Sequence, residues 1–167
     1  LLMGRLKGTE TLSNLMNAFV GESQARNRDA FFASKAKKEG YVQIQEIFLE
    51  TAANEKEHAE VFYKYMGAEL EGGEVMMLHV NADYPVVLGD TKSNLLNAAA
   101  GEREEWADLY LAFARTAKKE GFDDITDSFT KISTAEKAHE NRYKKLAINI
   151  EQGKVFKRFG DAKWKCG

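Results

Sequence analysis

The 167-residue sequence contains very little proline and cysteine: Pro85 is its only proline and Cys166 its only cysteine. A single cysteine excludes an internal disulfide and is typical of a reducing compartment, so we expect a cytoplasmic protein. Proline interrupts helix interiors, and its scarcity permits long helices. The formal net charge is −2, without the basic excess of nucleic-acid binders, and no apolar run approaches the ~18 residues of a membrane span. We therefore expect neither a nucleic-acid partner nor a membrane partner.

The sequence contains an internal repeat. Residues 21–22 match 101–102, residues 36–41 match 117–122, and residues 54–58 match 135–139. The offset is 80 for the first pair of segments and 81 for the other two. The second copy therefore has one extra residue between Gly101 and Ala117. Because a single-residue insertion within a helix forms a π-bulge, often near a functional site, we predict a π-bulge there.

Each copy of the repeat is typical of a helical hairpin, because Gly40 and Gly121 supply the residue that ends a helix. The four predicted helices run from a cap at Thr9 or Thr11 to Glu39, from Tyr41 to Met66, from a cap at Thr91 or Ser93 to Glu120, and from Phe122 to Gln152. Residues 67–90 form a connection long enough to cross the bundle. Two hairpins with one long crossover predict an all-α, ferritin-like four-helix bundle over residues 1–152.

Seven acidic and histidine residues lie at similar distances from the turns at Gly40 and Gly121. At about 1.5 Å per residue each lies roughly 22–29 Å from its turn, so antiparallel helices would place all seven in one layer. They are Glu22, Glu55, His58, Glu102, Glu105, Glu136 and His139. The pairs Glu55/His58 and Glu136/His139 have i, i+3 spacing, which puts both groups of each pair on one helix face.

Buried carboxylates without partners are costly, by several kcal/mol per charge, and two metal cations would offset that cost. One glutamate from each of two helices, with Glu-x-x-His from each of the other two, is the recurring di-iron pattern of such bundles. Carboxylates with two imidazoles suit iron or manganese, and zinc less specifically. We therefore predict two metal ions in the core. Glu57, Glu60 and Glu104 are better explained as surface charges, and His79 as a connector or interface residue.

Five motifs resemble those of the rubrerythrin family. They are GESQARNR at 21–28, AKKEGY at 36–41, EKEH at 55–58, GEREEW at 101–106 and EKAH at 136–139. The resemblance covers nearly the whole chain and implies two iron ions per chain, the reduction of hydrogen peroxide to water, and a homodimer. The ligands that it implies are Glu22, Glu55, Glu102, Glu105, Glu136 and His139. It also implies that His58 exchanges with Glu105 when one iron changes oxidation state.

One departure from the family is Asp29, which stands where the family usually has a tyrosine. Its repeat partner at offset 81 is Tyr110, which we expect to donate a hydrogen bond next to the metal ligands. An ionised aspartate cannot donate to a ligand carboxylate. Asp29 could instead accept from a nearby donor or perturb the site, and the sequence leaves both alternatives open.

The C-terminal residues 153–167 resemble the start of the family's rubredoxin module. A rubredoxin iron needs four cysteine thiolates, and Cys166 alone cannot hold one. We interpret this segment as a remnant or the beginning of a truncated module, and expect electrons from a separate rubredoxin-type donor. The alternatives are ferritin-like iron oxidation and storage, a dioxygen-reducing oxidase, and a helical protein without metal. Glu105 and the rubredoxin-like tail argue against the ferritin alternative.

Overall fold

A computed structural model describes residues 5–155 of the chain. The helices are α1 Glu10–Lys38, α2 Val42–Gly67, α3 Thr91–Glu104, a π-helical segment Glu105–Leu109, α4 Tyr110–Lys119 and α5 Asp123–Glu151. Because α3, the π segment and α4 are continuous, they form one long helix, and the molecule is the predicted ferritin-like bundle of two hairpins. Among the described residues, no helix is long and apolar enough to span a membrane.

The first helix begins and ends as the sequence predicts. Thr9 is the N-cap of α1, and its Oγ1 accepts a hydrogen bond from the Leu12 N–H at 3.2 Å. Gly40 and Gly121 follow α1 and the long helix with φ angles of 85° and 86°. Glycine takes this left-handed conformation without steric cost, so both residues turn the chain back into an antiparallel hairpin.

The predicted cap of α3 was wrong. Asp90, rather than Thr91 or Ser93, is the N-cap, and its carboxylate accepts from the Ser93 N–H at 2.7 Å. Aspartate is among the strongest N-caps because a short side-chain oxygen reaches the free N–H groups of the first turn. Thr91 is the first residue of the helix, and its N–H and hydroxyl both donate to Glu39.

Each hairpin caps the first helix of the other hairpin. Glu120 accepts from the Thr11 N–H at 2.8 Å and from its Oγ1 at 2.5 Å. Glu39 accepts from the Thr91 N–H at 2.9 Å and from its Oγ1 at 2.6 Å. Glu39 and Glu120 are repeat partners, so the arrangement is reciprocal. It joins the start of α1 to the end of α4 and thereby sets the antiparallel register that aligns the polar layer.

Two apolar clusters fill the bundle on either side of that layer. Along α1 the first cluster ends at Ala18 and the second begins at Phe32. Along α5 the corresponding residues are Ile132 and Tyr143. The acidic and histidine residues predicted to share one layer lie between these limits, so apolar packing above and below keeps water away from them.

The π segment lies where the extra residue of the second repeat was predicted to form a bulge, and that prediction is confirmed. The Tyr110 N–H bonds to the Glu105 carbonyl, five residues back, in place of the Trp106 carbonyl that an α-helix would use. The wider turn points the Glu105 side chain into the bundle, where it is 9 % exposed.

Candidate metal centre

Six of the seven predicted ligands form two overlapping groups, in each of which the donor atoms lie within 4.8 Å of one another. The first group is Glu22, Glu55, His58 and Glu136, and the second is Glu55, Glu102, Glu136 and His139. Glu55 and Glu136 belong to both groups. The arrangement therefore offers two adjacent metal positions with two carboxylates able to bridge them.

Each histidine meets a carboxylate from its own helix and one from the opposite hairpin. His58 Nδ1 lies 3.0 Å from Glu55 and 2.6 Å from Glu136. His139 Nδ1 lies 2.8 Å from Glu136 and 3.2 Å from Glu55. The two rings are 6.1 Å apart between centroids. The helical i, i+3 spacing thus places both Glu-x-x-His pairs face to face across the bundle.

The carboxylates of the layer are almost completely buried and lack enough donors. Glu22 and Glu136 are 0 % exposed and Glu55 is 1 % exposed. Four buried carboxylate oxygens of the layer form no well-aligned hydrogen bond among the described residues: Glu22 Oε2, Glu55 Oε1, Glu102 Oε2 and Glu136 Oε1. A nearby histidine Nδ1 carries at most one proton and cannot satisfy two oxygens at once. Metal cations fit this donor set, since they neutralise the charge and take the free lone pairs.

Burial and neighbouring charges shift the pKa values of the carboxylates in the layer. Burial, followed by the neighbouring Glu136, raises the pKa of Glu22 well above its ordinary value. Burial also raises the pKa of Glu102, with Glu55 next in effect. Burial opposes ionisation of Glu55 as well, yet hydrogen bonds from His139 and His58 lower its pKa to about 2. A cation beside these carboxylates would oppose the effect of burial and favour their ionised form.

The histidines hold protons more tightly than usual. Burial disfavours the charged ring of His139, but hydrogen bonds to Glu136 and Glu55 raise its pKa to about 9. The same balance of burial against three surrounding carboxylates raises the pKa of His58 well above its ordinary value. Both Nδ1 atoms thus face the carboxylates that would share a metal ion with them.

Glu105 is the predicted ligand that the structure leaves outside both groups. Its carboxylate is buried beside α1, with Oε1 3.6 Å from the point that a Cβ on Gly21 would occupy. Burial, then Glu136 and Glu55, raises its pKa well above the ordinary value. His58 Nδ1 lies 2.6 Å from Glu136, whereas Glu105 lies beside α1 and outside both donor groups.

Tyr110 and Asp29 both lie beside the layer but bond to different partners. The Tyr110 hydroxyl donates to Glu22 Oε1 at 2.5 Å, as the sequence predicts for a donor next to a ligand. Asp29 accepts from the Tyr143 hydroxyl at 2.6 Å. Burial raises the pKa of Asp29 to about 7, against the lowering effect of that hydrogen bond. Of the two alternatives left open for Asp29, accepting from a nearby donor is the one that the structure shows.

Two further residues at the site were not predicted from the sequence. The Asn54 amide lies 3.2 Å from His139 Nε2, on the side of the ring that faces away from the carboxylates. Such a contact orients a ligating histidine. Trp106 donates from its indole Nε1 to Glu140 at 2.5 Å. Asn54 has Ala135 as its repeat partner, and this difference between the copies was the available signal.

The residues predicted to lie outside the site do so. Glu57, Glu60 and Glu104 are exposed, and His79 is exposed in the connection between the hairpins. The rubredoxin-like tail was predicted over 153–167, of which residues 156–167 lie outside the described part of the chain.

The chain is similar to one family of known proteins over most of its length. The rubrerythrin family model matches residues 13–147. Rubrerythrin-1 of Clostridium acetobutylicum is 54% identical over 98% of this chain and 83% of its own length. Rubrerythrin of Nitratidesulfovibrio vulgaris is 46% identical, with the same shares of the two chains covered. A solved structure of nigerythrin in a mixed-valence state matches with a TM-score of 0.71 at 33% identity. A structure of nigerythrin in the fully reduced, all-ferrous state matches with a TM-score of 0.72 at 31% identity. Each match covers 87% of this chain and 72% of the nigerythrin chain.

Proposed function

Because the chain belongs to the rubrerythrin family, and its carboxylate–histidine layer fits the di-iron centre of that family, we propose that the protein is a peroxidase that reduces hydrogen peroxide to water in defence against oxidative stress. The observation that carries the proposal is the pair of donor groups that share Glu55 and Glu136, with Glu105 buried just outside them. A di-iron oxidoreductase with an additional carboxylate in reserve can change its ligands as its oxidation state changes.

Each ligand has a role in this proposal. Glu55 and Glu136 would be shared between two iron ions, since they belong to both groups. Glu22 and Glu102 would each hold one iron, and His139 would hold the iron on the Glu102 side. On the Glu22 side, His58 and Glu105 would alternate as ligands. An anionic carboxylate favours the ferric ion, and a neutral imidazole suits the ferrous ion.

Reduction of one hydrogen peroxide molecule to two water molecules consumes two electrons and two protons. Two ferrous ions held by these residues would supply one electron each and would act as Lewis acids. The protein holds and orients the ligands, and the two protons come from bulk water. The Tyr110 hydroxyl holds Glu22 in place through its 2.5 Å hydrogen bond.

We also propose a rubredoxin-type protein as the electron donor, a homodimeric assembly, and a cytoplasmic location. The first hairpin exposes Phe31, Val42 and Tyr63 with exposed fractions of 61%, 57% and 59%. Analytical ultracentrifugation of the iron-loaded protein measures the assembly, and a monomer at micromolar concentration would contradict the dimer.

Anaerobic stopped-flow absorbance tests the peroxidase proposal. Protein loaded with two ferrous ions per chain is mixed with hydrogen peroxide and, separately, with dioxygen, and the absorption of the oxidised centre is followed. We expect much faster oxidation by peroxide. Faster oxidation by dioxygen would reject the proposal and favour an oxidase or a ferritin-like iron-oxidising protein.

A further inference from the structure

Trp106, the residue after Glu105, is held by α5 at two polar groups. Its indole Nε1 donates to Glu140 at 2.5 Å, and its backbone carbonyl accepts from the Ser133 hydroxyl at 3.3 Å. The Tyr110 N–H, which an α-helix would give to this carbonyl, goes to the Glu105 carbonyl instead. The contacts with α5 therefore hold Trp106 at both its side chain and its backbone.

The acceptor of the indole is itself fixed. Glu140 is 2 % exposed, forms an ion pair with Lys144, and lies 3.9 Å from Arg103. The cationic group of Lys137 lies 4.9 Å from the centre of the Trp106 ring. A ring held by a buried carboxylate below and a cation at its face has little freedom to move.

The repeat shows that these contacts accompany the bulge. At offset 81, Ser133 corresponds to Ala52 and Glu140 to Ala59. Ala52 and Ala59 are both buried and carry no polar group to hold a facing helix. The copy without a π segment thus lacks both contacts, whereas the copy with a π segment has both. In the first copy, alanine is sufficient for helix packing at these positions. Ser133 and Glu140 therefore have a role that only the second copy requires.

We propose that Trp106 is a positioning residue that anchors the backbone of Glu105 to α5, so that the Glu105 carboxylate moves about a fixed Cα between its place beside Gly21 and the iron on the Glu22 side. This inference rests on the proposed exchange of Glu105 with His58. The anchor keeps the reach of the carboxylate constant and strengthens its hold on the oxidised iron. Without the anchor the π segment shifts, and Glu105 binds that iron less well.

The test is an anaerobic redox titration of the iron-loaded, full-length protein. Trp106→Phe keeps the ring but removes the indole donor, and Ser133→Ala removes the donor to the carbonyl. Loss of a group that orients a ligand typically weakens metal binding about tenfold or more. A tenfold weaker hold of Glu105 on the ferric ion raises the midpoint potential of one iron by about 59 mV for a one-electron couple. We expect this rise in both variants, with the potential of the other iron unchanged.

Two reference variants separate the possible results. Thr134→Ala removes a hydroxyl from the neighbouring residue of α5, which bonds within its own helix to the Thr130 carbonyl, and we expect no change in potential. Glu105→Ala must itself raise the potential; an unchanged value would reject the ligand exchange of the proposed function. A rise in Glu105→Ala with none in Trp106→Phe and Ser133→Ala would reject the anchor alone. If Trp106→Phe fails to fold or to hold iron, Ser133→Ala decides the question by the same criterion.

Discussion

The two halves of the metal layer occupy matching positions of the repeat but place their phenol groups on different helices. On the Glu22 side, Tyr110 of α4 packs against Phe62 of α2 and donates to the Glu22 carboxylate. On the Glu102 side, the repeat partners of these two aromatic residues are Asp29 of α1 and Tyr143 of α5, and the phenol donates to Asp29. Glu22 therefore has a phenol donor at Oε1, whereas the phenol on the other side donates to Asp29.

A second difference between the halves is the π segment. It gives the second copy Glu105, which has no counterpart in the first copy, and places it beside Gly21 on the Glu22 side. Glu22, to which Tyr110 donates, and Glu105 therefore lie on the same side of the layer. The comparison teaches that the shared repeat builds two nearly equivalent donor groups. In the proposed function, the departures from the repeat let one of them change its ligands.

The largest effect is expected where the two halves are equivalent. Glu136→Ala and Glu55→Ala each remove a carboxylate shared by both metal positions, so each variant should lose both irons. Iron content per chain after loading and desalting measures this loss. Glu57→Ala, which changes an exposed glutamate of α2, should keep two irons. Two tightly bound irons in Glu136→Ala would contradict the bridging role.

The next effect concerns the residue that makes the halves unequal. Glu105→Ala should keep two ferrous ions, because Glu105 lies outside both donor groups. Its oxidation by peroxide should slow by about tenfold or more, since the oxidised iron on the Glu22 side loses its exchanging ligand. Stopped-flow absorbance measures the rate. The neighbouring Glu104→Ala, at an exposed position, should react like the wild type, and equal rates in the two variants would exclude a role for Glu105.

Asp29→Asn tests the Glu102 side, where the phenol of Tyr143 donates to Asp29. The pKa of Asp29 is raised to about 7, compared with about 3.9 in an unfolded chain. Because the folded protein binds this proton more tightly than the unfolded chain does, the stabilisation is fully present below about pH 4. It is lost as the pH rises from about 4 to about 7. Relative to Asp29→Asn, the metal-free wild type should lose roughly 1.4 kcal/mol of unfolding free energy per pH unit across that window.

Urea denaturation at a series of pH values measures that difference. The control is Asp127→Asn, which changes an exposed aspartate of α5 and should leave the pH dependence unchanged. A constant difference in stability between wild type and Asp29→Asn from pH 4 to pH 7 would show that Asp29 does not take up a proton on folding.

The smallest effects are expected at the reciprocal caps, where the two hairpins match again. Glu39→Gln and Glu120→Gln each weaken the capping of one helix N-terminus, so each should cost about 1 kcal/mol of stability. Hydrogen bonding to Thr91 lowers the pKa of Glu39, and hydrogen bonding to Thr11 lowers that of Glu120. Both contributions should therefore fade as the pH falls below about 4. Thermal unfolding of the two variants measures the cost, and clearly unequal losses would break the proposed equivalence.

The fold and the layer were largely predictable because both follow from helical spacing. The glycine turns, the repeat and the i, i+3 pairs each depend on residues near one another in sequence, and the one-residue insertion indicated the π segment. The cap of α3 was mispredicted because Asp90, Thr91 and Ser93 are all good capping residues, and the choice depends on Glu39 from the other hairpin. A contact between distant segments is not visible in local sequence.

The contacts around the layer were less predictable for the same reason. The partner of Asp29 is Tyr143, more than a hundred residues later, and Trp106 reaches Glu140 on another helix. The repeat held a usable signal in both cases, since Phe62 replaces Tyr143 and Ala59 replaces Glu140 in the first copy. Differences between the copies therefore identify residues around the metal positions, whereas the similarities identify the ligands.

The most direct test of the account is a pair of crystal structures of the iron-loaded protein, oxidised and then chemically reduced in the same crystal form. The account predicts that the Glu105 carboxylate binds the iron on the Glu22 side in the oxidised protein, with His58 withdrawn. It predicts the reverse in the reduced protein, with Glu102 and His139 unchanged. The same ligands on both irons in both states would contradict the claim that the departures from the repeat make one metal position change its ligands.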